Sequence, residues 1–287
     1  MKKREFDQDN TSTIILRLEG GLGNQLFQYA HALHLQQQLN GANIVFETTK
    51  LDSKSVTNRK NRLVEIGIQH PEIKDVKFDS LFLRCKFIRV LKRGTKGVFS
   101  NFFLLTDSWY YYPKSKKRKI NLLLDGYFQN IFFFNSSKEK IVKAYQNLRT
   151  NLALSENTVS IHIRRSDYQQ VDSIHSIVDE DYYHRAMERI SYQVSSPEWH
   201  VFSDDFNVAK KIFPINSCHF HDSALYTDLD HLRMMISCRH HIIANSSFSW
   251  WGAYLTKEEG ITIAPANWYK NKQVNSKVKL PNEWVIL

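Results

Sequence analysis

The chain has 287 residues, 42% of them hydrophobic and 13% aromatic, which excludes a disordered protein and allows one large domain or two ordinary ones. Its 39 basic and 29 acidic side chains give a formal charge of +10, which favours an anionic partner. No stretch approaches the ~20 apolar residues of a membrane span, and no apolar run follows the charged first residues as in a secretory signal. Three cysteines without metal-ligand spacing are typical of reduced thiols in a cytoplasmic protein: Cys85, Cys218 and Cys238.

The first predicted unit is a strand, a glycine turn and a helix. The strand covers Thr13–Leu18, and a helical pattern runs from Leu26 to about Leu39. Three glycines lie between them: Gly20, Gly21 and Gly23. Such a turn lets the backbone approach a phosphate, although the spacing matches neither a dinucleotide fingerprint nor a P-loop, and a generic turn is the alternative. Asn24 and Gln25 at the helix entrance are candidates to cap the helix or to hydrogen-bond a ligand.

The rest of the first half contains two further predicted strands, Ala42–Glu47 and Ile120–Phe128, and an amphipathic helix from Ser136 to about Leu152. The segment between the strands is polar and basic and includes the charge run Lys114–Lys119. Such a run predicts a solvated loop, and the alternative is attraction to anionic lipid head groups or to an acidic glycan. No zinc-finger spacing, RNA-recognition aromatics or zipper heptads accompany it, so we predict no nucleic-acid partner.

The second half repeats the alternation of strands and helices on its own. We therefore predict two α/β domains, residues 1–153 and 154–287. Helices are predicted over 181–190, 206–212 and 228–239, and a strand over 261–265 is expected to close the sheet.

The first strand of the second half, within Val159–Ile163, runs into Arg164, Arg165 and Asp167. Ligands of open α/β sheets bind outside the carboxyl ends of strands, and an arginine can give two parallel N–H···O bonds to a phosphate. This pattern predicts a pocket for a dianion. A surface cluster of salt bridges is the alternative explanation.

Two later strand ends also carry polar side chains. Trp199–Ser203 is followed by Asp204 and Asp205, which are candidates to cap the next helix, to hold a metal or to accept hydrogen bonds from a guanine or a ribose. A metal is disfavoured because no D-x-D pattern occurs there. The strand His240–Ala244 is followed by three polar residues at a helix start: Asn245, Ser246 and Ser247. Helix capping explains one of these side chains, and an anion site explains all three.

In combination and in order, these motifs resemble those of the bacterial α-1,2-fucosyltransferases. Four stretches carry the resemblance: Gly20–Ala30, the H-x-R-R-x-D run at His162–Asp167, Phe202–Asp205 and Ala244–Trp251. Asp125–Gln129 is a further familial match. The resemblance implies an α/β fold of the GT-B class, two Rossmann-like domains facing across a cleft. The second domain would bind GDP-fucose and the first mainly the acceptor.

The resemblance also implies residue roles. Arg164 would hold the β-phosphate, Asp167 would orient an arginine or act as base, and Asn24 would reach the site from the glycine turn. Asp204 or Asp205 would accept hydrogen bonds from guanine. The remaining nucleotide-binding candidates are Gly21, Gly23, His162, Arg165, Asn245, Ser246 and Ser247.

The expected activity is transfer of L-fucose from GDP-β-L-fucose to a galactoside hydroxyl of a surface glycan or oligosaccharide, with inversion. No metal and no cofactor are expected, because arginines and a helix N-terminus would take the place of a divalent cation. We expect a cytoplasmic protein with weak peripheral attraction to the inner membrane, where a lipid-linked oligosaccharide would be the acceptor. The alternatives are a related GT-B transferase with another nucleotide sugar or linkage, and a non-catalytic protein that binds polyanions.

Overall fold

The computed structural model describes residues 11–51, 60–73, 102–106, 120–149, 155–165, 176–222, 224–256, 259–275 and 278–287. The chain divides into two compact units, Met1–Ile141 and Val142–Leu287. Each unit contains a parallel sheet with helices in the connections. This confirms the prediction of an α/β protein of the GT-B class with two Rossmann-like domains. The predictions for Lys114–Lys119 and Asp167 fall outside the described residues.

The first unit is built on a sheet of five parallel strands in the order β3-β2-β1-β5-β4. The strands are β1 (Thr13–Arg17), β2 (Asn43–Glu47), β3 (Glu72–Ile73), β4 (Phe102–Leu105) and β5 (Asn121–Leu124). Helix α1 (Leu22–Gln38) belongs to this unit, and α2 (Lys138–Ala144) runs across the division at residue 141. There are 3₁₀ turns at Leu63–Ile66, Ile131–Phe133 and Asn135–Ser137, and the turn at Gln146–Leu148 follows α2 in the second unit. In the register, Thr13 lies opposite Asn43 on one side and Asn121 on the other.

Strands β3 and β4 were not predicted from the sequence, and three predicted elements have different bounds in the structure. Helix α1 begins at Leu22 instead of Leu26, since the glycine turn already supplies its first backbone bond, from Gln25 N to Gly21 O at 3.1 Å. Strand β5 ends at Leu124, before Gly126, and Phe128 has φ of +53°. The predicted helix from Ser136 is shorter, because 3₁₀ turns flank α2 on both sides.

The second unit is built on six parallel strands in the order β11-β10-β9-β6-β7-β8. The strands are β6 (Thr158–Ile163), β7 (Glu198–Ser203), β8 (Cys218–His221), β9 (His240–Ile242), β10 (Thr262–Ala264) and β11 (Val285–Ile286). The helices are α3 (Glu180–Ser191), α4 (Phe206–Ile212), α5 (Asp228–Ser237), α6 (Ser247–Tyr254) and α7 (Lys272–Asn275), with a 3₁₀ turn at Ile215–Ser217.

Strand β6 is the buried centre of this sheet. All six of its residues are buried, and it lies between β9 and β7. Val159, Ile161 and Ile163 are fully buried and belong to one hydrophobic core with α3 and α4. Ser160 and His162, which alternate with these apolar residues in the sequence, are also buried, so β6 is covered on both faces.

The prediction that residues 261–265 close the sheet was wrong. The C-terminal segment adds β11 outside β10, with Ile263 opposite Val285. Trp284 is buried and packs against Trp250 with ring centroids 5.6 Å apart. This apolar contact holds the short edge strand in place.

Among the described residues, no helix has the length and apolar character needed to cross a membrane.

A buried histidine ties the centre of the second sheet to a helix. His241 Nδ1 lies 2.7 Å from Ser160 Oγ on β6, and its Nε2 lies 2.7 Å from Thr256 Oγ1 beyond α6. A neutral imidazole has one donor and one acceptor, and hydroxyls can match either. Burial lowers the pKa of His241 to about 3, so its ring is neutral at physiological pH.

This pKa predicts a pH-dependent stability. In the unfolded chain His241 takes up a proton below about pH 6.5, whereas in the folded chain it does so only near pH 3. The contribution of His241 to the free energy of unfolding is therefore complete above pH 6.5 and decreases as the pH falls below that value. We expect His241→Gln to reduce the slope of unfolding free energy against pH between 6 and 4 by about 1.4 kcal/mol per pH unit. Urea titrations at several pH values measure the slope. The exposed His184→Gln is the control, and an equal loss of slope in both variants would refute the assignment.

Candidate functional site

The second sheet has a topological switch point between β6 and β9. The chain passes from β6 to β7 and β8 on one side and then returns to β9 and β10 on the other. In open α/β sheets, ligands bind outside the carboxyl ends of the strands at such a point. Arg164 and Arg165 follow β6, and Ser246 and Ser247 follow β9. The fold thus brings together two motifs that lie about 80 residues apart in the sequence.

Asp204 holds the turn after β6. Its Oδ2 lies 3.1 Å from Arg164 Nη1, and its Oδ1 accepts a hydrogen bond from the Arg165 backbone N–H at 2.8 Å. The two side chains of the ion pair are 29% and 17% exposed, so the pair adds little to stability. Its effect is to orient the guanidinium. The resemblance implied that Asp204 or Asp205 would accept from guanine; in the structure each carboxylate oxygen of Asp204 has a partner on the β6 turn.

Asp205 caps the next helix. Its Oδ1 accepts from Val208 N at 3.1 Å at the start of α4. Ser203 Oγ donates to Asp205 O at 3.0 Å and accepts from Asp205 N at 2.9 Å, which closes the turn between β7 and α4. The capping alternative for one of the two carboxylates is therefore confirmed, and it applies to Asp205.

His162 lies beneath the arginine turn with a buried polar atom. The residue is 5% exposed, and its ring faces Phe248 of α6 with centroids 5.8 Å apart. Its Nδ1 is buried and has no hydrogen-bond partner among the described residues. Burial, helped by the charge of Arg164, lowers the pKa of His162 to about 3. A buried nitrogen without a partner costs about 1–3 kcal/mol, so a hydrogen-bonding group supplied at this nitrogen would be stabilising.

The start of α6 faces the same switch point. Ser246 is the N-cap, and its Oγ accepts from Phe248 N at 3.3 Å. The N-terminus of a helix attracts anions through its backbone N–H groups and its dipole. Ser247, in the first turn, is partly exposed. Ser246 and Ser247 thus lie where the sequence placed them, at a helix start beside the arginine turn.

Asn245 has a structural function that the sequence did not indicate. It is buried, and its Nδ2 donates to Ser176 O at 2.7 Å and to Trp268 O at 3.0 Å. The side-chain amide therefore ties together the segment before α3 and the segment after β10. This positions both segments next to the α6 N-cap.

The glycine turn of the first unit is a rigid junction around Asn24. Gly20 has φ of +78°, and a Cβ there would lie 2.5 Å from Asn24 Nδ2. Asn24 Oδ1 accepts from Gln129 Nε2 at 2.7 Å, which links the turn to the DGYFQ motif. Gly21 is the N-cap of α1 and Gly23 lies buried in its first turn.

Gln25 is a core residue. It is fully buried, and its Nε2 donates to Gly20 O and Lys60 O, both at 2.9 Å. Its Oε1 accepts from Arg62 N at 2.8 Å. The structure therefore gives Gln25 a backbone-bracing role, in place of the ligand contact or helix cap considered from the sequence.

Sequence reasoning missed a charged network at the carboxyl edge of the first sheet. Arg17 pairs with Glu47 and with Asp125, the latter at 3.0 Å. Lys50 Nζ lies 2.8 Å from both Asp125 Oδ1 and Glu19 Oε2. Part of the signal was available, because Glu19 follows one predicted strand and Glu47 ends another. Asp125 lay inside the predicted strand Ile120–Phe128, and only the structure places it after the strand end at Leu124.

Among the described parts of the chain, no group of three histidine, cysteine, aspartate or glutamate side chains is placed to hold a metal ion.

The cap predicts the effect of changing Asp205. We expect Asp205→Ala to lower the free energy of unfolding by about 1 kcal/mol, because the Val208 N–H loses its acceptor. Asp205→Ser keeps a capping oxygen, so its free energy of unfolding should remain within a few tenths of a kcal/mol of the wild-type value. Urea denaturation followed by circular dichroism measures both variants, and equal losses would show that the cap is not the stabilising interaction.

Comparisons with known proteins agree with this arrangement of motifs. Residues 3–287 match the family model described as Glycosyl transferase family 11. An alpha-1,2-colitosyltransferase of Escherichia coli is 31% identical over 307 residues, covering 96% of this chain and 98% of that protein. The O-antigen biosynthesis glycosyltransferase WbnK of Escherichia coli is 30% identical over 302 residues, covering 94% of this chain and 99% of that protein.

Among solved structures, the fucosyltransferase NodZ from Bradyrhizobium is similar over 85% of this chain and 93% of that chain, with 14% identity and a TM-score of 0.45. The family model spans nearly the whole sequence, from before β1 to the last residue. It confirms the family resemblance carried by the four motifs. The chain belongs to glycosyl transferase family 11 and is a glycosyltransferase.

Proposed function

We propose that the protein transfers L-fucose from GDP-β-L-fucose to the 2-hydroxyl of a galactoside, with inversion at the anomeric carbon. The observation that carries this proposal is the switch point of the second sheet. There Asp204 orients the guanidinium of Arg164, directly after β6. Two positions before Arg164, the buried Nδ1 of His162 has no partner among the described residues, and the His162 ring packs against Phe248 in the first turn of α6. A nucleoside diphosphate supplies the negative charge and the acceptors that such a site requires.

The geometry suits departure of a diphosphate. As the bond from the anomeric carbon to the β-phosphate oxygen breaks, negative charge grows on the leaving GDP. Arg164 and the N-terminus of α6 stabilise this charge in the transition state more than in the ground state. Removing one such donor typically costs on the order of 10²–10³ in rate. The acceptor hydroxyl attacks from the opposite face and gives its proton to a general base, for which Asp167 remains the candidate from the sequence.

We propose that this chemistry needs no divalent cation. A metal in such reactions neutralises and orients the diphosphate. Arg164 and Arg165 together with the α6 N-terminus supply positive charge at the same place. The assignment of Asn24, Gly21 and Gly23 to donor binding stays a prediction from the family resemblance.

A second donor is favoured by one finding. The relative that is 31% identical is named for transfer of colitose in α-1,2 linkage. Colitose is L-fucose without its 3-hydroxyl, so the two donors differ by one polar group. A site that hydrogen-bonds this hydroxyl would reject colitose strongly, whereas an apolar surface would discriminate weakly.

The acceptor in this proposal is a galactose-containing glycan or a lipid-linked oligosaccharide. A relative named for O-antigen biosynthesis supports a surface glycan. The cytoplasmic location and the peripheral contact with an anionic membrane, inferred from the +10 charge, stay predictions within this proposal.

Metal-free nucleotide binding is the first test. We expect calorimetry in EDTA to detect GDP binding, and Arg164→Ala to weaken it about 10- to 100-fold, because charge-assisted hydrogen bonds are worth about 1.5–3 kcal/mol. Arg185→Ala is the matched control, since Arg185 pairs with Asp181 on the surface of α3.

Two results would contradict the proposal. GDP binding that requires Mg²⁺ or Mn²⁺ would overturn the metal-free site. Binding that is equal in the two arginine variants and collapses with salt would indicate the non-catalytic polyanion-binding alternative.

Donor choice is the second test. With a galactoside acceptor, we expect GDP release from GDP-fucose to exceed release from GDP-mannose and UDP-sugars by at least 10²-fold, because the site must match both base and sugar. GDP-colitose is assayed beside them by kcat/KM. A higher value for GDP-colitose would replace fucose by colitose as the donor, and turnover of a UDP-sugar would favour the related GT-B transferase with another donor.

A further inference from the structure

A second recess lies in the second unit, apart from the arginine turn. It is a cavity of about 620 Å³ at the carboxyl end of β10. Its walls come from the segment after β10 and from the two residues that precede the turn into α3. The lining side chains that matter here are Ser176, Ile177, Asn267, Tyr269, Lys270 and Lys272. Arg164, His162 and Asp204 do not line it.

The lining has the chemistry of an anion site for a polar ligand. Two lysines provide positive charge, and amide and hydroxyl groups provide hydrogen-bond donors. No carboxylate occurs among the described residues that line the cavity. Lysine binds phosphate as a flexible point charge, in contrast to the fixed fork of arginine. Ile177, which is 52% exposed, adds one apolar surface.

The wall of the cavity is preorganised. Asn275 Oδ1 accepts from Trp268 N at 2.7 Å and from Tyr269 N at 3.1 Å, and its Nδ2 donates to Ala266 O at 3.0 Å. Hydrogen bonds from the Asn275 side chain to three backbone groups thus hold the segment before Lys270 in place. A wall that is already ordered loses little entropy when a ligand binds.

The cavity adjoins the proposed donor site through Asn245. The amide of Asn245 donates to Ser176 O, in one wall, and to Trp268 O, in the other. The next residue, Ser246, is the N-cap of α6. A ligand in the cavity therefore lies on the same edge of the sheet as the donor diphosphate, with positive charge of its own.

We infer that this cavity binds a phosphoryl group of the acceptor, a glycan carried on a phosphate or diphosphate ester. This inference rests on the proposed function. Two arginines and a helix N-terminus already serve the donor diphosphate, so Lys270 and Lys272 serve a second anionic group. A glycosyl diphosphate places negative charge next to sugar hydroxyls, which the asparagines and Tyr269 recognise.

The test compares three acceptors that share one galactosyl disaccharide. The first is the neutral benzyl glycoside, the second a carboxyalkyl glycoside and the third an alkyl diphosphate ester. We expect the wild type to show a KM for the diphosphate ester at least 10-fold lower than for the other two. The double variant Lys270→Gln/Lys272→Gln should lose most of this difference and keep the kinetics of the neutral acceptor. Lys210→Gln/Lys211→Gln, at exposed lysines of α4, removes the same charge and should keep the preference.

Calorimetry keeps the test independent of turnover. The diphosphate ester is titrated into protein saturated with GDP, where we expect binding that the Lys270 and Lys272 substitutions weaken about 10-fold. Displacement of GDP by the ester, or weaker GDP binding in the double variant, would assign the lysines to the donor site and overturn the inference.

The kinetic comparison can also overturn the inference. It would do so if the wild type showed no preference for the diphosphate ester, or an equal preference for the carboxyalkyl glycoside. Turnover of the neutral acceptor with no diphosphate preference would reject this inference while leaving the proposed function intact.

Discussion

The carboxylate of Asp204 is the constraint on which the candidate site depends. It reaches from the end of β7 to the turn after β6, where it holds both the guanidinium of Arg164 and the backbone N–H of Arg165. Two neighbouring arginines repel each other and explore many rotamers in water. One carboxylate bound to side chain and backbone reduces that freedom before any ligand arrives, which is the physical meaning of preorganisation.

This constraint in turn depends on the buried centre of the second sheet. Strand β6 has six buried residues, so its position and register are set by packing on both faces. Buried histidines act in the same region as neutral polar groups. His241 has a hydroxyl beside each ring nitrogen, whereas the Nδ1 of His162 has no hydrogen-bond partner within the described part of the chain. Both rings have a pKa lowered by burial, so each is a neutral donor and acceptor beside the central strand.

Both units place charged side chains at the carboxyl ends of their strands, but the balance of positive and negative charge differs between them. In the second unit, the arginines and the start of α6 leave positive charge at the switch point. In the first unit, Arg17 and Lys50 are paired with three carboxylates, Glu19, Glu47 and Asp125. With two cations against three carboxylates, this edge of the first sheet carries no net positive charge that would attract a diphosphate.

The sequence by itself determined the seven predicted strands, the main helices, the glycine turn, the arginine motif and the family, but it did not indicate the short strands β3, β4, β8 and β11. The predicted features depend on local alternation and on short motifs, which are visible within ten residues of chain. The predicted strand over 261–265 did not close the sheet, because β11 forms through a tertiary contact between Trp284 and Trp250 that no local pattern encodes.

Only the tertiary structure decided what each polar side chain does. Asp204 and Asp205 are adjacent and chemically alike, yet one binds the β6 turn and the other caps α4. Gln25 and Asn245 also read as ligand contacts in the sequence and hold backbone groups in the structure. The sequence also did not predict the cavity beside Lys270, because its walls come from two segments that are distant in the chain. Hydrogen-bond partners come from residues distant in the chain, and side-chain chemistry alone does not reveal which of them folding brings within 3 Å.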